Sequence, residues 1–102
     1  MFFDGEFSHG VLKTPAAGDF RAQDDFGGTS RPGNPGKAVV RQARAIFDAL
    51  PETPLYARVD GVVQGGRFVL IELELIEPVL FFGHSAEAAP RLVRALRKRL
   101  AR

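Results

Sequence analysis

The chain has 102 residues, enough for one compact domain with a modest core, and its 45% hydrophobic content excludes disorder over most of the length. It has no cysteine, which excludes disulfides and thiolate zinc sites and suits a reducing cytoplasm; it also has no apolar run approaching ~18 residues, so no membrane-spanning helix is expected. The net charge of +2 is unevenly spread, because six of the fourteen basic residues, Arg91, Arg94, Arg97, Lys98, Arg99 and Arg102, fall in the last twelve positions.

Met1-Phe2-Phe3-Asp4 lacks the basic-then-apolar form of a signal peptide, and residues 2–13 read as two short strands around a turn at Asp4-Gly5. Residues 14–36 are rich in glycine and proline and read as a long loop, a feature that is uncommon in a compact domain and often functional. Asn34 is expected to cap a helix with Pro35 as its first residue, and Val39, Ala43, Ile46, Phe47 and Leu50 give that helix one apolar stripe. Pro51 and Pro54 end it.

Two strands follow, at about 56–63 and 67–77, joined around Gly65-Gly66. A two-residue loop carried through in strict register would set Asp60 opposite Ile71, and would put Asp60 and Glu72 on different faces. A register one residue removed gathers Val59, Gly61, Val63, Val69, Ile71, Leu73 and Leu75 on one face and Arg58, Asp60, Glu72 and Glu74 on the other. The hydrophobic pattern selects register strongly, so a three-residue loop or a bulge is predicted. The last element is a helix from about Ala86 to Leu100, with Ser85 as its cap and Leu92, Val93, Leu96 and Leu100 as its buried stripe. The predicted class is therefore α+β: one domain over 1–102, an antiparallel sheet, and two helices packed on one face.

Three carboxylates in the most strand-like run of the chain are costly beside Ile71, Leu73 and Leu75 unless a cation compensates them. Hard oxygen donors suit Mg²⁺ or Mn²⁺, and an arginine beside them suits charge on a transferring phosphoryl group. The competing expectation is an exposed strand face of ordinary Arg–Glu pairs. The other motifs are weaker. Gly33-Asn34-Pro35-Gly36-Lys37 lacks the Walker spacing and the hydroxyl residue after the lysine. His9 and His84 have no second ligand at zinc spacing. Ser8 and His9, taken as adjacent strand residues, would point to opposite faces and form no dyad. The C-terminal arginines have no interleaved aromatics, so a solvated helix face is expected rather than nucleic-acid binding.

Arg58-x-Asp60 followed by Glu72-x-Glu74 resembles the C-terminal half of an ATP-grasp ligase. Upstream, Phe7-Ser8-His9-Gly10-Val11-Leu12-Lys13, Gly18-Asp19-Phe20-Arg21-Ala22-Gln23 and Gly27-Gly28 are similar to the corresponding strand and loop. The Gly-Asp-Phe-Arg segment resembles ribosomal-protein glutamate ligases and glutathione-synthetase-like members. Residues 72–78 resemble a bacterial subgroup that includes the cycloserine-forming ligase. The resemblance implies that ATP phosphorylates a substrate carboxylate and that an amine or related nucleophile displaces the phosphate. It also implies that Asp60, Glu72 and Glu74 hold Mg²⁺ or Mn²⁺, that Arg58 acts on the γ-phosphate, and that Lys13 and Arg21 face phosphates. Glu74 stands where many members have Asn. The family's N-terminal lobe, with its phosphate loop and much of the adenine pocket, is not found in these residues. The expectations are therefore an incomplete cleft, a chain acting with a missing lobe or as a homo-oligomer, and no nucleic-acid or membrane partner. The alternative is a non-catalytic interaction module that keeps the lobe's fold.

Overall fold

The computed structural model describes residues 1–14 and 29–101. Strands β1 (Phe2–Phe3) and β2 (Glu6–Phe7) form a tight hairpin with φ +52° at Asp4 and +81° at Gly5, the positive pair that a type I′ turn requires. β3 (Gly10–Thr14) pairs antiparallel with β4 (Thr29–Gly33) in a separate two-stranded sheet. Helix α1 (Lys37–Ala45) runs into a 3₁₀ turn at Ile46–Ala49, and β5 (Tyr56–Gln64) and β6 (Arg67–Glu74) form the long hairpin. After a 3₁₀ turn at Phe82–His84, helix α2 (Ala88–Leu100) completes the described residues. The main sheet is antiparallel, in the order β2-β1-β5-β6.

The chain is α+β, as expected, but the helices lie on opposite faces of the main sheet rather than on one. Adjacent residues of β1 decide this, because successive strand side chains point to opposite sides. Phe2 packs with Ala43, Phe47 and Ala57, on the α1 side. Phe3 packs with Ala88 and Ala95, on the α2 side. Phe2 meets Phe7 and Phe47 edge-on, with ring centres 5.7 and 5.1 Å away, the T-shaped geometry that aromatic quadrupoles prefer.

The long hairpin combines both features that seemed to exclude each other. Its loop is the two-residue Gly65-Gly66 turn, with φ +57° and +79°, and Gln64 pairs with Arg67. Near the sheet the register is the displaced one, Arg58 with Glu74, Val59 with Leu73 and Asp60 with Glu72, because a bulge leaves Ile71 as an extra residue. Beyond the bulge, Val63 pairs with Phe68 and Val62 with Val69. The expected apolar face is therefore corrected in its distal half. Phe68 joins the α1-side core, whereas Val69 and Ile71 stand exposed, Ile71 by 64%. Gln42 of α1 fixes the outer end: its Nε2 donates to the Gly66 carbonyl at 3.1 Å and its Oε1 accepts from the Phe68 amide at 2.9 Å.

Both helix starts also differ from expectation. Asn34 Oδ1 accepts the Gly36 amide at 3.0 Å, an Asx turn ahead of the helix, and Gly36 at φ +87° is the residue that precedes Lys37. Ser85 is extended, and α2 starts at Ala88, so Pro90 lies in its first turn, where a missing N–H costs nothing. α2 buries Ala88 and Ala95 and packs Leu92 against the sheet, leaving Val93, Leu96 and Leu100 exposed rather than buried. None of the described helices is long and apolar enough to cross a membrane.

Candidate functional site

The alternation of β5 puts Arg58 and Asp60 on the face of Phe3 and Tyr56, the α2 side, and the register brings Glu74 and Glu72 opposite them. Asp60, Glu72 and Glu74 each present a carboxylate oxygen within 4.8 Å of the others. Arg58 lies among them and is 9% exposed. Its Nε and one terminal nitrogen donate to the two Asp60 oxygens at 2.9 and 2.8 Å, a bidentate pair. Glu74 Oε2 lies 2.8 Å from the same Nε. The other terminal nitrogen donates to the Val79 carbonyl at 3.3 Å. Burial acts against the charged guanidinium, but the Asp60 hydrogen bond and the charges of Asp60, Glu74 and Glu72 outweigh it and hold the Arg58 pKa above its ordinary value.

Two observations favour a cation among these carboxylates. Three negative side chains against one guanidinium leave two negative charges uncompensated within the cluster. In addition, Glu74 Oε2 is buried and is held by its ion pair with Arg58 alone, without a hydrogen bond, since the Nε proton is directed to Asp60. A buried oxygen in that state is costly unless something else satisfies it. Asp60 spends two of roughly four acceptor sites on Arg58, so it retains lone pairs for a metal. Glu72 is exposed and has no ion pair among the described residues.

Residues 78–82 cross beside the cluster. The Phe81 backbone has φ +53°, and its ring lies 5.5 Å from the Arg58 guanidinium carbon and 5.4 Å from Lys13 Nζ. Lys13, on β3, is thus brought towards the site through a shared aromatic. Phe81 carries no signal in the sequence that distinguishes it from Phe82. Arg21, together with Gly18, Asp19, Gly27 and Gly28, lies outside the described residues.

One exclusion made from the sequence is overturned. Ser8 Oγ and His9 Nδ1 are 2.8 Å apart, because both residues sit in the connection between β2 and β3 and not in a strand. His9 Nε2 donates to the Leu80 carbonyl at 2.8 Å, which leaves Nδ1 to accept the Ser8 hydroxyl. Arg91 also donates to the Ser8 carbonyl. Both side chains are buried and link the first strands to residues 78–82. An open cavity next to them, lined by Asp4, Glu6, Ser8, Arg91, Arg94 and Lys98 among others, lies against α2 and does not include Asp60, Glu72 or Glu74.

Burial lowers the His9 pKa, partly offset by its hydrogen bond to Leu80, and the neighbouring Met1 amine and Arg91 lower it further. The Met1 amine donates to the His9 carbonyl at 2.8 Å; burial pushes it down to about 6, with Asp60 pulling the other way and Arg58 adding to the drop. Both groups are bases whose folded values lie below their unfolded ones. Each therefore favours the fold fully above its unfolded value, and that contribution is lost as pH falls through the folded value. Urea midpoints should decline from pH 8 towards pH 5, and His9→Gln should flatten the decline below pH 6.5. A midpoint equally steep in the variant would show that His9 does not drive that part.

No family model matches the chain, and no curated protein and no solved structure matches it.

Proposed function

We propose that this chain is the metal- and ATP-phosphate-binding lobe of an ATP-dependent carboxylate–amine ligase that works through an acyl phosphate in the cytoplasm. The observation that carries this reading is the convergence of Asp60, Glu72 and Glu74 within 4.8 Å around a buried arginine, with Glu74 Oε2 lacking a hydrogen bond. The resemblance to ATP-grasp ligases contributes the reaction class and the nucleotide.

When bound, Mg²⁺ or Mn²⁺ would neutralise phosphate charge at these oxygens. Asp60, Glu72 and Glu74 would hold the cation, with Glu72 the exposed member of the set. Arg58 keeps Asp60 and Glu74 aimed at one point and has N–H donors left for a phosphoryl oxygen, since its three observed hydrogen bonds use three of five. Lys13 adds positive charge on the other side of the contact with Phe81. The exposed apolar residues of the hairpin, Val62, Val69 and Ile71 among them, support a lobe that works against a second surface, either a separate lobe or another copy. The small-molecule partners are a carboxylate and an amine.

Calorimetric titration with Mn²⁺ tests the site without requiring turnover. Glu72→Gln should weaken binding by about tenfold or more, since loss of one hard ligand from a three-carboxylate set is not compensated. Unchanged Mn²⁺ affinity in that variant would overturn the metal assignment. Mn²⁺ binding with no metal-dependent nucleotide binding, once the chain is joined to a phosphate-loop lobe, would instead favour the non-catalytic module.

A further inference from the structure

We infer that Ser8 and His9 form a nucleophile–base pair that hydrolyses small esters of anionic acids in the cavity beside α2. This site is separate from the carboxylate cluster and does not rest on the function proposed for it. Ser8 Oγ lies 2.8 Å from His9 Nδ1, and His9 Nε2 lies 2.8 Å from the Leu80 carbonyl oxygen. A carbonyl oxygen only accepts, so Nε2 carries the proton and Nδ1 of the neutral ring accepts from the hydroxyl. Nucleophile, base and orienting group thus follow in the order that activates a serine. Ser8 and His9 are each 6% exposed. Their backbones are pinned as well: the Ser8 amide donates to the Met1 carbonyl at 2.9 Å, Arg91 donates to the Ser8 carbonyl, and the Met1 amine donates to the His9 carbonyl. Burial favours the neutral ring, the form that can take up a proton.

The cavity identifies the substrate class. It holds about 290 Å³, room for a small ester, and Ser8 is part of its wall. Arg91, Arg94 and Lys98 line it from one face of α2, at spacings of three and four. The acids of the same wall are Asp4 and Glu6, and Asp4 is paired with Arg99 at 2.7 Å. Three cations thus outweigh Glu6, which favours a negatively charged acyl group and an oxyanion forming at its carbonyl. In the first step Ser8 Oγ bonds to the ester carbonyl carbon and its proton passes to His9 Nδ1. The carbon–alkoxide bond breaks, and Nδ1 gives the proton to the departing alkoxide. Water then attacks the acyl-serine, and its proton returns through Nδ1 to Ser8 Oγ. The net change is one ester and one water to one acid and one alcohol. The Leu80 carbonyl holds the ring in place and supports the imidazolium formed in each step.

The test treats the full chain with diisopropyl fluorophosphate, which forms an Oγ–P bond at an activated serine as fluoride leaves. Peptide mass spectrometry should place the adduct on Ser8 and not on Ser30 or Ser85, although both of those are less buried. His9→Gln should slow the labelling by about 100-fold or more. Relative to their rates in water, mono-para-nitrophenyl succinate should be cleaved faster than para-nitrophenyl acetate, and Arg94→Glu should lower that preference about tenfold. Arg94 is exposed, so this variant should melt like the parent and reports on the cavity even where His9→Gln does not fold. A parent chain with no adduct on Ser8, or with all three serines labelled equally, overturns the inference. Undiminished labelling in folded His9→Gln does the same, because the pair is then only a structural link. An ester preference unmoved by Arg94→Glu removes the cavity as the substrate site, and the inference with it.

Discussion

Replacing Arg58 with methionine is expected to destabilise the protein by about 3–5 kcal/mol at neutral pH, the cost of breaking a buried ion pair from one side. The reason is specific to the cluster. Arg58 is the cation bonded to both Asp60 oxygens and the one nearest to Glu74 Oε2, which accepts no hydrogen bond. Methionine fills much of the same volume against the Phe81 ring but supplies no charge, so the carboxylates face each other at partly buried positions. Urea unfolding at pH 7 measures the loss. Millimolar Mn²⁺ should recover part of the lost stability at pH 7 if the carboxylates bind it, by mass action on the folded state. A loss below 1 kcal/mol would mean that the pairs behave as solvent-screened surface bridges.

Gly61→Val is expected to cost about 2–3 kcal/mol through overpacking and to weaken Mn²⁺ binding together with stability. A Cβ at this position would lie 2.4 Å from the Val69 carbonyl oxygen and 2.5 Å from Phe68 Cζ. The first clash is with backbone and cannot be relieved by a side-chain rotation. Gly61 is also the first residue beyond the register shift, next to Asp60. Accommodating the valine means displacing β6 where the bulge forms, and the bulge is what places Glu72 opposite Asp60. Chemical denaturation reports the first effect and Mn²⁺ calorimetry the second. Ala substituted at the neighbouring exposed Val62 serves as control and should change neither by much. Full stability in Gly61→Val would show that the close approach of Phe68 is not needed.

The carboxylate face was legible because Arg58, Asp60, Glu72 and Glu74 alternate with apolar residues at a period of two, and only one register puts all four together. The distal half of the same hairpin was not legible. Gly65-Gly66 satisfies turn chemistry, and the apolar pattern near the sheet satisfies pleat parity. The two are reconciled by an extra residue whose position depends on the helix packed outside the strand. Gln42 and Phe68 fix that position, and they are far from each other in sequence. Ser8 and His9 misled for a similar reason: two-residue strands leave the next residues free of strand parity, so their side chains can meet.

Taken alone, the sequence determined the α+β class, the tight turn at Asp4-Gly5, the two helical segments and the membership of the acidic cluster. Each of these follows from local chemistry: positive φ at glycine, periodicity, and alternation along a strand. Tertiary structure decided which side of the sheet each helix occupies, which stripe of α2 is buried, and which groups complete the site. Phe2 and Phe3 are equally apolar, so β1 offers both faces of the sheet a buried ring and does not itself assign the helices. α2 has two apolar stripes; small Ala88 and Ala95 allow close approach to Phe3, and the larger Val93, Leu96 and Leu100 are left outward. Phe81 and Val79 reach Arg58 only because residues 78–82 are held across the sheet by Arg58 itself and by His9, a long-range contact that no local pattern encodes.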